Sequence, residues 1–180
     1  MTFVVDGTNG LTFNDATTQA STATNASNIS SGTLGKARLP TGSVLQVVNA
    51  SYSTTTSSAS NVYADTGLTA TITPTSATSK ILVLVDQNGV YVDGNANQGA
   101  DIKLLRGSTT LALIGGRAGG DKVVSVIMSI GSVSSNYLDS PATTSATTYK
   151  TQFLSNNNAA TVYVQVYSSV STITLMEIAA

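Results

Sequence analysis

Apolar and polar residues alternate along much of the chain beyond residue 43. From Val44 to Tyr52 every second side chain would lie on one face, and Leu68, Ala70 and Ile72 alternate with threonines. A period of two predicts β-strands with one buried face, because successive side chains of a strand point to opposite sides. The segment 81–85 is apolar at every position, which predicts a central strand covered on both sides.

Further segments with strand-like patterns follow, and turn-rich stretches separate them. They are residues 100–105, 110–114, 123–130, 147–154, 161–167 and 172–178. No stretch has a convincing helical period. Short strands at this spacing predict an all-β, antiparallel sandwich, and their number fits a jelly roll. We therefore expect a jelly-roll head domain over residues 43–180.

Residues 1–42 have a different pattern. Their large apolar residues are thinly spread, and Phe13, Ile29, Leu34 and Leu39 fit neither a strand face nor a helix face. The polar run between Phe13 and Ile29 cannot bury enough apolar surface to offset its ordering entropy. We predict an extended N-terminal arm that orders against neighbouring subunits or a particle protein, with those four residues as anchors. A disordered tail is the alternative.

The segment 161–167 predicts a surface for subunit contact. Its three valines would face the core, which leaves Tyr163, Gln165 and Tyr167 on the opposite face. Tyrosine is enriched at interfaces because it offers contact area and a hydrogen bond together. We predict a subunit interface at Tyr163 and Tyr167, with ordinary exposed tyrosines as the alternative.

The composition favours an assembly. Only 9% of the 180 residues are charged, against roughly 25% in typical soluble domains. A chain with so few charges is expected to hide much of its surface against other chains. The net charge is −1 and no basic run is present, so nucleic acid is not an expected partner. The apolar runs are too short for membrane insertion, and the first residues lack the features of a secretory signal, which predicts synthesis in the cytoplasm.

The absence of histidine and cysteine limits the possible chemistry. It removes Ser-His-Asp and Cys-His catalysis and most zinc sites. A carboxylate pair, as in glycoside hydrolases, is the enzymatic alternative that remains. Its candidates are the acidic residues Asp86, Asp93, Asp101, Asp121, Asp139 and Glu177. The aspartates are predicted at strand ends or turns, where they bond the local backbone, so we expect neither catalysis nor a cofactor.

The segment that begins at Asp93 has oxygen-bearing side chains at alternate positions, like a calcium loop. Gln98 and Leu104 stand where the helix-loop-helix version of such a loop needs glycine and glutamate. A connecting loop without metal is the prediction, and a looser metal site is the alternative.

The glycine-rich segment 115–120 lacks the spacing of a phosphate-binding loop. It is predicted to be a mobile loop at one end of the sandwich. Arg117, Asp121 and Lys122 concentrate charge there, which makes it a candidate partner-binding loop, with a solvated linker as the alternative.

Three stretches resemble tail fibres and virion appendage proteins of tailed bacteriophages. GLTFNDATTQ at residues 10–19 is similar to the fibre motif G-x-x-F-x-D-G-T-x-Q, with Ala16 in place of its glycine. NISSGTL at 28–34, followed by ARLP at 37–40, is similar to a segment that precedes fibre heads. Residues 137–153 with 172–178 resemble the heads themselves, which are comparable to trimeric jelly rolls of the C1q and tumour-necrosis-factor type.

The resemblance implies a homotrimeric structural protein on the virion surface, attached to other virion proteins by its N-terminal arm. Attachment to the tail as a short fibre and decoration of the capsid are both open, and a host surface glycan is left open as a further partner. A carbohydrate-binding module would share the sandwich but bind as a monomer. A carboxylate hydrolase would need two acids converging in a cleft.

Overall fold

The structure is a computed structural model that describes residues 4–6, 10–12, 18–19, 35, 39–93, 99–118, 131–156 and 160–180. Regular structure in these ranges consists of strands and one 3-10 turn, Val166–Ser168, which confirms the all-β prediction. The described strands are β1 (Val4–Asp6), β2 (Gly10–Thr12), β3 (Thr18–Gln19), β4 (Val44–Tyr52), β5 (Thr56–Ser58), β6 (Ala64–Ile72), β7 (Lys80–Asp93), β8 (Ala100–Arg106), β9 (Thr109–Ala118), β10 (Gly131–Asp139), β11 (Thr147–Ser155), β12 (Thr161–Val164) and β13 (Ser171–Ile178).

The chain divides into two compact units between Leu39 and Pro40. In the first unit, β1, β2 and β3 form a small antiparallel sheet in that order. The sequence showed no strand period here. Strands of two or three residues can form without one, because the backbone pairing that holds them together does not require a buried side-chain face.

The second unit is a sandwich of two antiparallel sheets. Sheet 1 has the order β4, β13, β7, β12, β5, and β10 pairs with the other edge of β7. Strands β12 and β13 pair with successive parts of one edge of β7. Strand β5 pairs with β12, and β4 pairs with β13. Sheet 2 has the order β6, β11, β8, β9.

The connections follow the jelly-roll pattern. The chain crosses from sheet 1 to sheet 2 before β6, returns for β7, and crosses again for β8. Only the hairpin between β8 and β9 stays within sheet 2, after which β10, β11 and β12 again alternate between the sheets. This order confirms the predicted antiparallel jelly-roll sandwich.

The space between the sheets holds two apolar clusters. Each cluster combines inward-facing side chains of both sheets, so each one fixes the sheets together. The first contains Leu68, Ala70, Ile72, Ile81, Val83, Val85, Leu104, Tyr149, Ile173 and Leu175. The second contains Val90, Val92, Ala100, Ile102, Phe153, Ala160, Val162 and Val164.

A layer of buried polar side chains, here called the polar layer, crosses from sheet 2 to sheet 1. Thr66 Oγ1 lies 2.6 Å from Thr151 Oγ1, which donates to Gln87 Oε1 at 2.9 Å. Gln87 Nε2 donates to Ser171 Oγ at 3.0 Å, and Gln165 Nε2 reaches the same oxygen at 3.2 Å. All five residues are fully buried. Because a buried polar group that loses its partner is costly, this layer favours one arrangement of the two sheets.

The sequence positions of the polar layer place it between the two apolar clusters. Along β11, Thr151 lies between Tyr149 of the first cluster and Phe153 of the second. Along β7, Gln87 likewise lies between Val85 and Val90. The core therefore consists of two apolar halves with a hydrogen-bonded layer between them.

The segment 81–85 is central, as predicted, because β7 is paired along both edges. The prediction that both faces are covered is wrong within one chain. Ile81, Val83 and Val85 are buried, but Leu84 on the other face is 37% exposed.

Strand β10 was not predicted. Serine and asparagine have low strand propensity, which conceals the alternation of this segment. In the structure β10 pairs with β7 from Gly131 to Asp139, and Tyr137 packs against the first apolar cluster. The predicted strand 123–130 lies outside the described residues.

Candidate interaction surfaces

The outer face of sheet 1 carries a straight row of apolar side chains. Leu138 of β10 pairs with Leu82 of β7, Leu82 pairs with Met176 of β13, and Met176 pairs with Val47 of β4. These four residues, here called the apolar row, therefore span every strand at that end of the sheet. Val47 and Leu138 are each 54% exposed, and Leu82 and Met176 are half-buried.

The polar residues of this face lie further along the strands. In the next row, Asn49 donates from Nδ2 to Thr174 Oγ1 at 2.7 Å. Beyond it, Asp86 of β7 accepts hydrogen bonds from Ser134 Oγ at 2.7 Å and from Asn88 Nδ2 at 3.0 Å. Asp86 was predicted at a strand end or turn, but it lies inside β7, which continues to Asp93.

The outer face of sheet 2 has a different character. Lys150 of β11 forms an ion pair with Asp65 of β6 at 2.8 Å, and Gln152 donates to the same carboxylate at 2.7 Å. The Lys103 ammonium lies 3.9 Å from the centre of the Tyr63 ring, a cation–π contact. This face has the charged and amide groups that keep a surface solvated.

The predicted interface tyrosines lie at the opposite end of sheet 1 from the apolar row. Tyr163 of β12 pairs with Tyr91 of β7, and their ring centres are 5.6 Å apart with a tilt of 31°. Tyr91 is nine positions along β7 from Leu82, or roughly 25–30 Å at the usual rise per strand residue. The interface prediction for Tyr163 and Tyr167 stays untested.

Strand β12 ends earlier than predicted, at Val164. Gln165, Tyr167 and Ser168 have φ values of 57°, 54° and 58°, which are incompatible with a continuing strand. Gln165 consequently turns inward and is fully buried in the polar layer, whereas the sequence placed it beside the two tyrosines. Tyr167 points out from the turn and is 73% exposed.

Together these residues line a hollow in the surface, here called the tyrosine hollow. Its volume is about 300 Å³, and Thr55, Tyr91, Tyr163, Val166 and Tyr167 line it. Tyr91 was not singled out from the sequence, because its position beside Tyr163 depends on the strand register. Alternation of Tyr91 with the buried Val90 and Val92 is the one signal that could have placed it on the outer face.

The buried acids belong to hydrogen-bond networks. Asp139, predicted at a strand end or turn, is the last residue of β10, and its side chain is buried against sheet 2. It accepts two hydrogen bonds from Arg106 Nη1, at 2.8 and 2.7 Å, and one from the Tyr149 hydroxyl at 2.7 Å. Burial, and then the hydrogen bond to the Asp139 carboxylate, raise the pKa of Tyr149 far above its ordinary value.

Glu177 of β13 is fully buried and joins the β6–β7 connection to sheet 1. Its carboxylate accepts hydrogen bonds from Gln46 Nε2 at 2.6 Å and from the Thr75 backbone nitrogen and hydroxyl at 2.7 and 2.8 Å. Burial opposes ionisation of Glu177, but these hydrogen bonds outweigh it and lower the pKa to about 2. The carboxylate is therefore charged at neutral pH.

Asp139 and Glu177 both pair with Ile81, one from each side of β7. Their backbones are thus two strand spacings apart, roughly 9–10 Å. Each is buried and held by its own partners, which is the arrangement of structural groups rather than of a converging pair. Asp86 and Asp101 lie on strands of different sheets, and Asp121 lies outside the described residues.

The other predicted site residues fall as follows. Arg117 lies in β9 rather than in a loop, because the strand continues to Ala118 through irregular pairing with β8. Asp121 and Lys122 are outside the described residues, as are the arm anchors Phe13, Ile29 and Leu34. Leu39 is described and is half-buried.

Within the described ranges, no three acidic side chains converge to form a metal site. No helix in the same ranges is long and apolar enough to cross a membrane. No protein-family model matches the chain, and a search of curated proteins returns no significant match.

Proposed function

We propose that the chain is a structural protein of a tailed-bacteriophage virion, a short trimeric fibre or surface appendage attached to the particle by its N-terminal arm. The virion assignment is supported by the resemblance of residues 10–19 and 28–40 to fibre segments. The self-assembly is supported by one structural observation, the apolar row on the outer face of sheet 1.

The apolar row favours other copies of the same chain as its cover. It crosses four of the six strands of sheet 1, whereas the outer face of sheet 2 carries charged side chains. The Lys150–Asp65 ion pair and the Lys103–Tyr63 cation–π contact lie on the outer face of sheet 2, whereas the outer face of sheet 1 exposes Val47 and Leu138. Such an unequal distribution is typical of a subunit that buries one sheet in an assembly.

Burial of the apolar row alone does not provide enough free energy for a stable trimer. Fully burying a large aliphatic side chain contributes roughly 1.5–3 kcal/mol. Because the row is already about half-buried, it contributes about 12 kcal/mol in a trimer, whereas the two association steps of a trimer together cost roughly 8–30 kcal/mol. The interface must therefore extend beyond the row, and Leu84 and Ile178 lie beside it on the same face.

A pair of matched substitutions tests this assembly. Leu138 on sheet 1 and Leu113 on sheet 2 are 54% and 60% exposed, so lysine at either position should leave the subunit folded. We expect the wild type and Leu113→Lys to have three times the 18.3 kDa chain mass by light scattering. Leu138→Lys should be monomeric, since it would bury an ammonium in the interface. A monomeric wild type, or a trimeric Leu138→Lys, would contradict the proposal.

Attachment by the arm has its own test. Deleting residues 1–39, or changing Ile29 and Leu34 together to serine, should leave the head trimeric but prevent its incorporation into particles. The apolar anchors would then no longer be available to order against a particle protein. Normal occupancy of the truncated protein in purified particles would show that the arm is not the anchor. Imaging of labelled particles distinguishes a tail fibre from a capsid decoration.

A further inference from the structure

The tyrosine hollow is built on a rigid support. The Gln165 backbone nitrogen donates to Asn88 O at 3.0 Å, and Thr55 Oγ1 donates to Gln165 O at 2.9 Å. Ser169 Oγ donates to Val166 O at 2.7 Å. The Gln165 side chain also donates to Ser171 of β13, so this turn is held by β7, β13 and the residue that precedes β5.

Strand β7 is shaped to fit the turn. Gly89 has a φ of 63°, and a Cβ at this position would lie 2.7 Å from the Val166 backbone nitrogen. Only glycine allows the strand to approach the turn so closely. The contact between β7 and the turn therefore fixes Tyr91 relative to Tyr167.

The turn stores backbone strain at residues that do not favour it. Gln165, Tyr167 and Ser168 all adopt the left-handed conformation, which glycine or asparagine would adopt at lower cost. The burial of Gln165 accounts for the first of the three. Tyr167 adopts this conformation at the edge of the hollow, with its side chain 73% exposed. Strained backbone of this kind is often found at ligand-binding positions.

The lining of the hollow defines the chemistry of its ligand. Its five described side chains are uncharged, and four of them end in hydroxyl groups. The volume of about 300 Å³ is at the lower limit of the roughly 300–1,000 Å³ that small-molecule sites span, which suits one small ring. A tyrosine offers an apolar ring face and a hydroxyl at its edge. A neutral pyranose has the complementary form, with C–H groups on one face and hydroxyls around its rim.

We propose that the tyrosine hollow is a binding site for a neutral sugar ring, which stacks on Tyr167 and contacts the inclined pair Tyr91 and Tyr163. The site lies within one subunit, roughly 25–30 Å along β7 from the apolar row. It therefore does not depend on the trimer. It gives the head a recognition function in addition to its structural one.

Two substitutions in the turn test the site. Tyr167→Gly removes the ring and relieves the strain at its own position, and Ser168→Gly relieves the strain at the next residue while keeping the ring. The probes are methyl β-glucoside and methyl β-galactoside, observed by saturation-transfer NMR on the full chain at millimolar sugar. We expect saturation transfer from the wild type and from Ser168→Gly, and at least a tenfold weaker signal from Tyr167→Gly. Both variants should unfold at or above the wild-type temperature.

The mass of the same samples, measured by light scattering, distinguishes loss of sugar binding from loss of the trimer. If Tyr167→Gly keeps the wild-type mass and loses sugar binding, the proposal holds. If it dissociates an otherwise stable trimer, the hollow is a subunit contact and the sugar site is wrong. If neither glycoside binds the wild type, the sugar site is also wrong, although the assembly by the apolar row stands.

Discussion

The cluster of Asp139, Arg106 and Tyr149 connects the two sheets, and its strength can be measured. Tyr149→Phe removes one hydroxyl that donates to a buried carboxylate at 2.7 Å. A hydrogen bond to a charged group contributes roughly 1.5–3 kcal/mol. Asp139 keeps both bonds from Arg106, so its charge stays compensated and the cost should be about 2 kcal/mol. This corresponds to a fall of about 4–8 °C in the unfolding temperature.

Asp139→Ala should cost more, about 3–5 kcal/mol, because it leaves a buried hydroxyl and a guanidinium without their acceptor. The double variant should be less destabilised than the sum of the two by roughly 1.5 kcal/mol, since both single changes break the same bond. Urea denaturation at one fixed protein concentration measures all three. Tyr63→Phe, at a partly exposed tyrosine, is the control and should stay within about 0.5 kcal/mol of the wild type. A Tyr149→Phe variant as stable as this control would refute the reasoning.

Three further predictions concern pH and backbone fit. The raised pKa of Tyr149 contributes stability that is fully present below about pH 10 and is lost as pH rises further, so the urea midpoint should fall above pH 10 more steeply in the wild type than in Tyr149→Phe. Glu177, with its pKa lowered to about 2, contributes stability that is present above its ordinary pKa and lost as pH falls towards 2. Glu177→Gln should flatten the urea-midpoint profile between pH 4.5 and 2, and an unchanged profile would count against this assignment. Gly89→Ala should destabilise the head by about 3 kcal/mol or more, because the new Cβ both disfavours the positive φ and collides with Val166. Gly107 also has a positive φ but open space around it, so Gly107→Ala should cost only about 1 kcal/mol. Equal urea midpoints for the two variants would contradict the tight packing at Gly89.

Regular alternation allowed several strands to be predicted closely. The segments 147–154 and 172–178 differ from β11 and β13 by one residue at one end. Each has large apolar side chains at two inward positions, Tyr149 and Phe153 in β11 and Ile173 and Leu175 in β13. Strand β10 escaped prediction because its neighbours in space, not its own composition, make it a strand. The long register with β7 compensates for the low propensity of its serines.

The candidate surfaces depended on features that a single sequence does not display. Glutamine, tyrosine and serine do not favour positive φ, so the residue types at Gln165, Tyr167 and Ser168 gave no sequence signal for the end of β12. Asp139 resembled a turn residue because its partner Arg106 is 33 positions away in the chain. The exposed half of the segment 81–85 was apolar in the sequence, but whether another element of the same chain covers it is decided only by the topology.

The polar layer has a consequence for how the strands find their places. Sliding β7 by two residues against β13 would keep every inward side chain inward, and one valine or isoleucine would replace another. Apolar contact alone therefore discriminates weakly between the native alignment and its neighbours. The same slide would carry Gln87 away from Ser171 and Thr151, which breaks two buried hydrogen bonds and separates the buried Gln87 amide from both side-chain partners. The polar layer therefore specifies the register of the strands more than it contributes to the stability of the sandwich.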